Sequence, residues 1–337
     1  MTRESRISGN TIAQPGRRRC LKLLGATAAI AAIGGRAHAQ RAATVRMVIP
    51  FTPGGPTDII GRAVAQHLSE AWGRPVVVEN RPGAGSSIGA QVVARAAPDG
   101  NTLLLTASSH IMSAPLLPQL PYDPVKDFTP LSIAGFQPFV LAVAAEDAIA
   151  DMAEFVDVAR KAQESLSVGV AGIGNASHYA GLMMQREQNL RFLFVPYSGS
   201  SMLMTSLVGG QVRAGLLNTT VATSLIQEGR IRGLGVTSLQ RWRQLPDVPT
   251  FDESGFPGFE SSAWYGFLGP AGIPPAQVEK LDQDLRAALD SPAVARIIRE
   301  SGLDPLHWTP AEFGRRMRDE SVQSHSLIAD AGLLPAR

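Results

Sequence analysis

Residues 44–68 read TVRMVIPFTPGGPTDIIGRAVAQHL, and the succession inside this stretch sets the fold. Thr44 to Pro50 is a short β-rich run, and Phe51 to Pro56 is a Gly/Pro loop. Ile59, Ile60, Ala63, Val64 and Leu68 then recur at helical spacing. The pattern continues downstream. Pro75 to Glu79 (PVVVE) is the next strand, its loop carries Gly83, Gly85 and Gly89, and Ile88 to Ala97 reads as a helix. After the Pro98-Asp99-Gly100 turn, Thr102 to Thr106 (TLLLT) is a third strand. A β-α-β-α-β order with wholly apolar strands predicts an α/β fold with a mostly parallel sheet covered by helices.

A proline-rich stretch, Pro115 to Pro130, interrupts this order, and two strands are expected after it, around Ser132 and over Val140 to Ala144. A second α/β unit follows. Its helices are Met152 to Ala162, Ser177 to Glu187, Ser201 to Val208 and one around Ser224; its strands are Leu166 to Val170, Arg191 to Val195, Gln211 to Leu217 and Gly233 to Thr237. The last part is mainly helical. Val278, Leu281, Leu285 and Leu289 share one helix face, Pro292 opens another helix, and Thr309-Pro310-Ala311-Glu312 is a capping box.

The start of the chain reads as an address. Arg17, Arg18 and Arg19 precede an apolar run from Leu21 to Ile33 that ends in Ala37-His38-Ala39. The run is shorter than the ~20 apolar residues a membrane span needs. A basic region, a short apolar region and an A-x-A end give an expected export signal over residues 1–39, cleaved near Ala39/Gln40. Its arginines fit the twin-arginine route, or a Sec signal with an extra arginine. Without these residues, which hold seven of the 31 Lys+Arg and one of the 29 Asp+Glu, 24 basic and 28 acidic side chains remain, a formal charge of −4. That balance gives no basic patch for nucleic acid. Cys20, the only cysteine, leaves with the signal, so the mature chain has no disulfide and no thiolate ligand or nucleophile. With 18% charged and 45% hydrophobic residues the composition is that of a globular protein.

Three loops share one plan of strand, small-residue turn and helix: Pro53 to Asp58, Gly172 to His178 and Tyr197 to Ser201. In open α/β sheets, ligands bind beyond the carboxyl ends of strands, where helix N-termini offer unpaired N–H groups and partial positive charge. The pattern points to an anion held by N–H and hydroxyl groups. One helix terminus contributes ~0.3–1 kcal/mol, whereas micromolar binding needs about −8 kcal/mol. Three termini therefore fall short, and the ligand must also be enclosed, as when two domains close over it.

Other motifs carry less. Gly85-Ser86-Ser87-Ile88-Gly89 fits G-x-S-x-G, but a nucleophile elbow follows its strand directly, and Asn80 to Ala84 intervene here. Gly83-x-Gly85 and Gly172-x-Gly174 do not complete a dinucleotide fingerprint. His67, His110, His178, His307 and His325 never pair at metal-ligand spacing. No catalytic residue, metal or cofactor is expected.

The motifs Pro50-Phe51-x-x-Gly54-Gly55-Pro56-x-Asp58, Glu79-Asn80-Arg81-Pro82-Gly83, Leu120-Pro121-Tyr122-Asp123-Pro124, Val195-Pro196-Tyr197-x-Gly199 and Leu245-Pro246-Asp247-Val248-Pro249 occur in order along nearly the whole mature chain. In this the sequence resembles the Bug-type receptors, the substrate-binding proteins of tripartite tricarboxylate transporters. The resemblance implies a two-lobed periplasmic-binding-protein (Venus-flytrap) fold, each lobe a mixed sheet flanked by helices. Residues 40–140 and 264–337 would form lobe 1 and residues 141–263 lobe 2, with crossings near Phe139 and Trp264. It implies a monomeric periplasmic receptor whose partners are a small carboxylate ligand and the membrane subunits of the transporter; the alternative is a sensing subunit of the same fold that presents its ligand to a signalling partner. By motif, the lobe 1 contacts would be Phe51, Gly54, Gly55, Asp58, Ser108 and Ser109. Those of lobe 2 would be Asn175, Ser177, His178, Tyr197, Gly199 and Asn218. Asp58 reads equally as a helix cap or as the partner of a ligand amine or hydroxyl. Leu217 stands where family members often carry Asp, which argues against a ligand amine and leans toward a plain acid.

Overall fold

Val45–Ile49 forms the first strand, β1, of a computed structural model that describes residues 44–117, 119–162 and 165–335. The expected export signal lies outside the described residues. From β1 the chain runs through α1 (Pro56–Trp72), β2 (Val76–Asn80), α2 (Ser87–Ala94), β3 (Thr102–Ala107) and the single turn α3 (Ser109–Met112). Next come β4 (Phe128–Ala144), α4 (Met152–Lys161), β5 (Leu166–Val170), α5 (Ala176–Gln188), β6 (Phe192–Pro196), α6 (Ser200–Val208), β7 (Ala214–Asn218), α7 (Thr219–Gln227) and β8 (Ile231–Val236). The chain ends in β9 (Ser262–Pro270), α8 (Pro275–Asp290), α9 (Pro292–Glu300) and α10 (Pro310–Asp330). The expected Thr309–Glu312 capping box is formed at the start of α10. Among the described residues no helix is long and apolar enough to cross a membrane.

The strands lie in the order β2-β1-β3-β9-β4-β7-β5-β6, with β8 also paired to β4. β1 is parallel to β2 and β3, and β5 is parallel to β6 and β7. β9 runs antiparallel to both β3 and β4, and β4 is antiparallel to β7 and β8. The sheet is therefore mixed, as the family resemblance implies, and the mostly parallel arrangement expected from the strand pattern is corrected. Apolar strands report burial on both faces, and an antiparallel strand covered by helices on both sides meets the same demand. Met47, Ile49, Leu103, Leu105 and Phe267 face α1, α8 and α9, while Val48, Leu104, Trp264 and Leu268 face α2 and α10. Further along, Leu141, Val143, Val168 and Leu216 pack under α4 and α5, and Val140, Ala142 and Leu217 pack under α6 and α7.

Two strand expectations need correction. The two strands foreseen around Ser132 and Val140 are one strand of 17 residues, β4. Pro130 and Gly135 are taken up by register shifts between Pro130 and Ser132 and between Ile133 and Gly135. β9, unforeseen, is the strand inserted between β3 and β4. Up to Pro138, β4 pairs with β9; from Phe139 onward it pairs with β7, and from Val140 with β8.

Candidate ligand-binding site

The carboxyl ends of β1, β3, β5, β6 and β7 lead into helices whose first residues line one cavity of about 280 Å³. Gly55, Pro56 and Thr57 come from the start of α1, Ser108 and Ser109 from α3, Asn175 and Ala176 from α5, Ser200 from α6 and Asn218 from α7. This volume sits at the lower edge of the ~300–1,000 Å³ usual for ligand clefts, which suits a small molecule. The floor is sheet. Gln137 and Phe139 on β4 and Ala263 and Tyr265 on β9 line the cavity. They share one face because Gln137 pairs with Ala263 and Gly135 with Tyr265 in the ladder, and side chains alternate with period two. The lining contains no Lys, Arg, Asp or Glu. Positive potential there comes from the helix N-termini, whose N–H groups and aligned dipoles favour an anion.

The termini differ in how they are capped. At α5, the Asn175 side-chain oxygen accepts from His178 N (3.1 Å) and from Ser177 Oγ (2.8 Å). At α7, Asn218 Oδ1 accepts from Val221 N (3.1 Å). The N-caps of α1 and α6 are Gly55 and Gly199, and no side chain caps either helix. Their first N–H groups are left for solvent or ligand. Gly199 has φ +136, a conformation that side-chain-bearing residues rarely adopt.

A family model described as the tripartite tricarboxylate transporter family receptor, TctC, matches residues 60–333. The chain belongs to this family. Protein BugT of Bordetella pertussis is 30% identical to it, over 93% of this chain and 98% of that one. MatC of Rhodopseudomonas palustris, solved with bound malate, is 31% identical with a TM-score of 0.71, over 86% of this chain and 100% of that one. Rpa4515 of R. palustris, solved with adipate, is 30% identical with a TM-score of 0.73, over 88% and 100%. The fold of this TctC receptor is thus the mixed α/β fold of periplasmic binding proteins.

Of the residues expected at the site of this TctC receptor, Phe51, Gly55, Ser108, Ser109, Asn175 and Asn218 line the cavity. Gly54, Asp58, Ser177, His178, Tyr197 and Gly199 lie outside the lining and build the loops behind it. Asp58 is buried, and its carboxylate accepts from Gly54 N (3.0 Å), Arg62 Nε (3.0 Å) and Asn80 Nδ2 (2.9 Å). Burial alone would raise its pKa, but the bonds from Arg62, Gly54 and Asn80 outweigh it and hold the carboxyl at about 2. Ser177 Oγ also accepts from Ala171 N (3.1 Å), tying the end of β5 to α5. His178 is fully buried against Phe194, edge to face at 4.8 Å, and burial pushes its pKa down to about 4. Its Nδ1 accepts from Gly174 N (3.3 Å), so the neutral ring braces the Gly172–Asn175 turn. Tyr197 packs sideways against the core beneath α6.

The functional candidates missed in the sequence are the floor residues Gln137, Phe139 and Tyr265, whereas Ser200 at the start of α6 lies within the expected Tyr197 to Ser201 loop. The alternation Gln137/Phe139 was available as a signal, because both sit on one face of a strand. Tyr265 lies on the unforeseen β9. Burial pushes its hydroxyl up to about 12, so it stays a neutral donor at the cavity. Among the described residues, no group of three or more His, Cys, Asp or Glu comes together to hold a metal ion. Ser87 follows a 3-10 turn over Ala84–Ser86 and does not come directly after β2, so it is no nucleophile elbow.

Proposed function

We propose that this protein is an extracytoplasmic receptor that binds a small carboxylate in the cavity and delivers it to the membrane subunits of a tripartite tricarboxylate-type transporter. The observation that carries the reading is a cavity built from helix N-termini without a single charged side chain. Such a site recognises an anion through N–H and hydroxyl donors. Family membership supports it, as do the malate and adipate held by the two solved relatives. The protein works in the periplasm after export, as a binding protein and not as an enzyme.

The proposal includes a hinge. Residues 40–140 with 264–337, and residues 141–263, act as two lobes that close over the ligand. What supports this is the handover at Pro138 and Phe139, where β4 leaves β9 and takes up β7. Four termini of longer helices at ~0.3–1 kcal/mol each do not reach the ~8 kcal/mol of micromolar binding, and closure supplies the remainder by removing water. The test is mass spectrometry of small molecules released when the purified protein is denatured, with thermal shifts across a carboxylate panel. A carboxylate released, with a matching rise in melting temperature, is the expected result. No shift with any acid, alongside a shift with neutral sugars, would sink the reading.

A further inference from the structure

Gln137 stands out in the cavity floor because of how its amide is held. It is almost wholly buried at 3% exposure. Its Nε2 donates to Gly302 O at 2.9 Å and to Thr220 Oγ1 at 2.7 Å. Gly302 O is a carbonyl and can only accept, so it fixes which end of the amide is nitrogen. Both N–H groups are then used, and Oε1 is left without a partner among the described residues. The other amide oxygens at the cavity, on Asn175 and Asn218, are engaged in capping their own helices. The remaining polar side chains of the lining are hydroxyls, on Thr52, Thr57, Ser108, Ser109, Ser200 and Tyr265, which can turn to donate to a carboxylate.

We propose that Gln137 Oε1 is the cavity's dedicated acceptor and makes the receptor select hydroxy acids over the same acids without the hydroxyl. This rests on the reading of the cavity as a carboxylate site. The helix termini hold the carboxylate, and the Gln137 carbonyl accepts from the ligand hydroxyl. An acid lacking that hydroxyl leaves Oε1 buried and unpaired, which costs more than the bond itself gains. A ligand ammonium is disfavoured as well, because no acidic side chain lines the cavity to balance its charge. The selected class is therefore a hydroxycarboxylate, as distinct from an amino acid or a plain acid.

The test is isothermal titration of the mature protein with matched acids: malate, succinate and aspartate; 2-hydroxyglutarate and glutarate; lactate and propionate; mandelate and phenylacetate. In the pairs that bind, the hydroxy member is expected about tenfold tighter. Malate is expected to bind more tightly than aspartate by at least the same factor. Gln137→Lys keeps a donor toward Gly302 O and removes the acceptor, and Gln137→Met removes both; each is expected to bring the hydroxy-to-deoxy ratio near one. A general loss of packing would weaken both members together and leave that ratio unchanged. Equal binding within the wild-type pairs, or a ratio that survives in a variant that still binds, overturns the selection and leaves the carboxylate reading standing. If no acid binds the wild type, the carboxylate reading falls and the selection with it.

Discussion

Replacing Asp58 by Asn tests whether the turn from β1 into α1 is held by charge. The carboxyl sits at about 2 against an ordinary 3.8. At ~1.4 kcal/mol per pH unit of difference, that separation corresponds to about 2–3 kcal/mol of folding stability at neutral pH. Arg62, one of its partners, is half exposed, and solvent screening leaves about 1–2 kcal/mol. For a chain of this size, that lowers the melting temperature by roughly 2–6 °C. The sign follows from the folded-state value lying below the unfolded one. The contribution is complete above pH 3.8 and disappears as pH falls through about 2. Asp58→Asn is neutral at every pH, so the gap between wild type and variant is widest near pH 7 and closes below pH 3.8. Melting followed by circular dichroism from pH 7 to pH 2.5 reads this directly. Equal melting temperatures at pH 7, or a gap as wide at pH 2.5 as at pH 7, would refute the reasoning.

Three further outcomes are expected. Burial holds His110 and His178 at about 4, below the ordinary 6.5, so each ring's contribution to stability is complete above pH 6.5 and is lost as pH falls toward 4; in urea titrations His178→Gln makes stability fall less between pH 6.5 and pH 4 than in the wild type, and an unchanged slope contradicts the assignment. Gly199→Ala meets no atom within 4 Å, so its cost of about 1–3 kcal/mol comes from the backbone alone, while Gly55→Ala, at φ −79, leaves the melting temperature in place; equal effects of the two would remove the conformational argument. Asn218→Asp keeps the oxygen that caps α7 and sets a negative charge in the cavity, so stability stays within about 0.5 kcal/mol while carboxylate affinity falls at least tenfold; unaltered affinity by calorimetry would place the ligand elsewhere.

The helices and parallel strands were legible because their signals are local. Apolar spacing, the Thr309 capping box and the small-residue turns each act within a few residues, and the strands β1, β3 and β5 fall within a residue of their expected bounds. The region that joins the two α/β units was not legible. In β9, Gly266 and Gly269 each admit a close neighbour. A Cβ at Gly266 would meet the Phe313 ring at 2.7 Å, and one at Gly269 would meet Ile273 at 2.3 Å. Gly135 in β4 is held in the same way, with Asp304 O at 2.6 Å from where a Cβ would stand. Gly135 and Gly266 record packing partners far along the chain, which a local reading cannot supply. The site divides along the same line. The loop ends of the cavity were foreseen, while its floor depends on β4 and β9 lying side by side.

That adjacency also governs how the chain can fold. Leu104 pairs with Leu268, so β3 obtains its second neighbour only when residues from the far end of the protein arrive. Until then β3 and β4 both present open edges, and open edges invite pairing with other chains. Contacts so distant in sequence also slow the search for the native state. A fragment ending before Ser262 would keep most of the helices and the loop half of the cavity, yet it would lack the strand that joins β3 to β4. Truncated or stalled chains of this receptor should therefore aggregate rather than fold in part, and C-terminal deletions cannot be used to map its binding site.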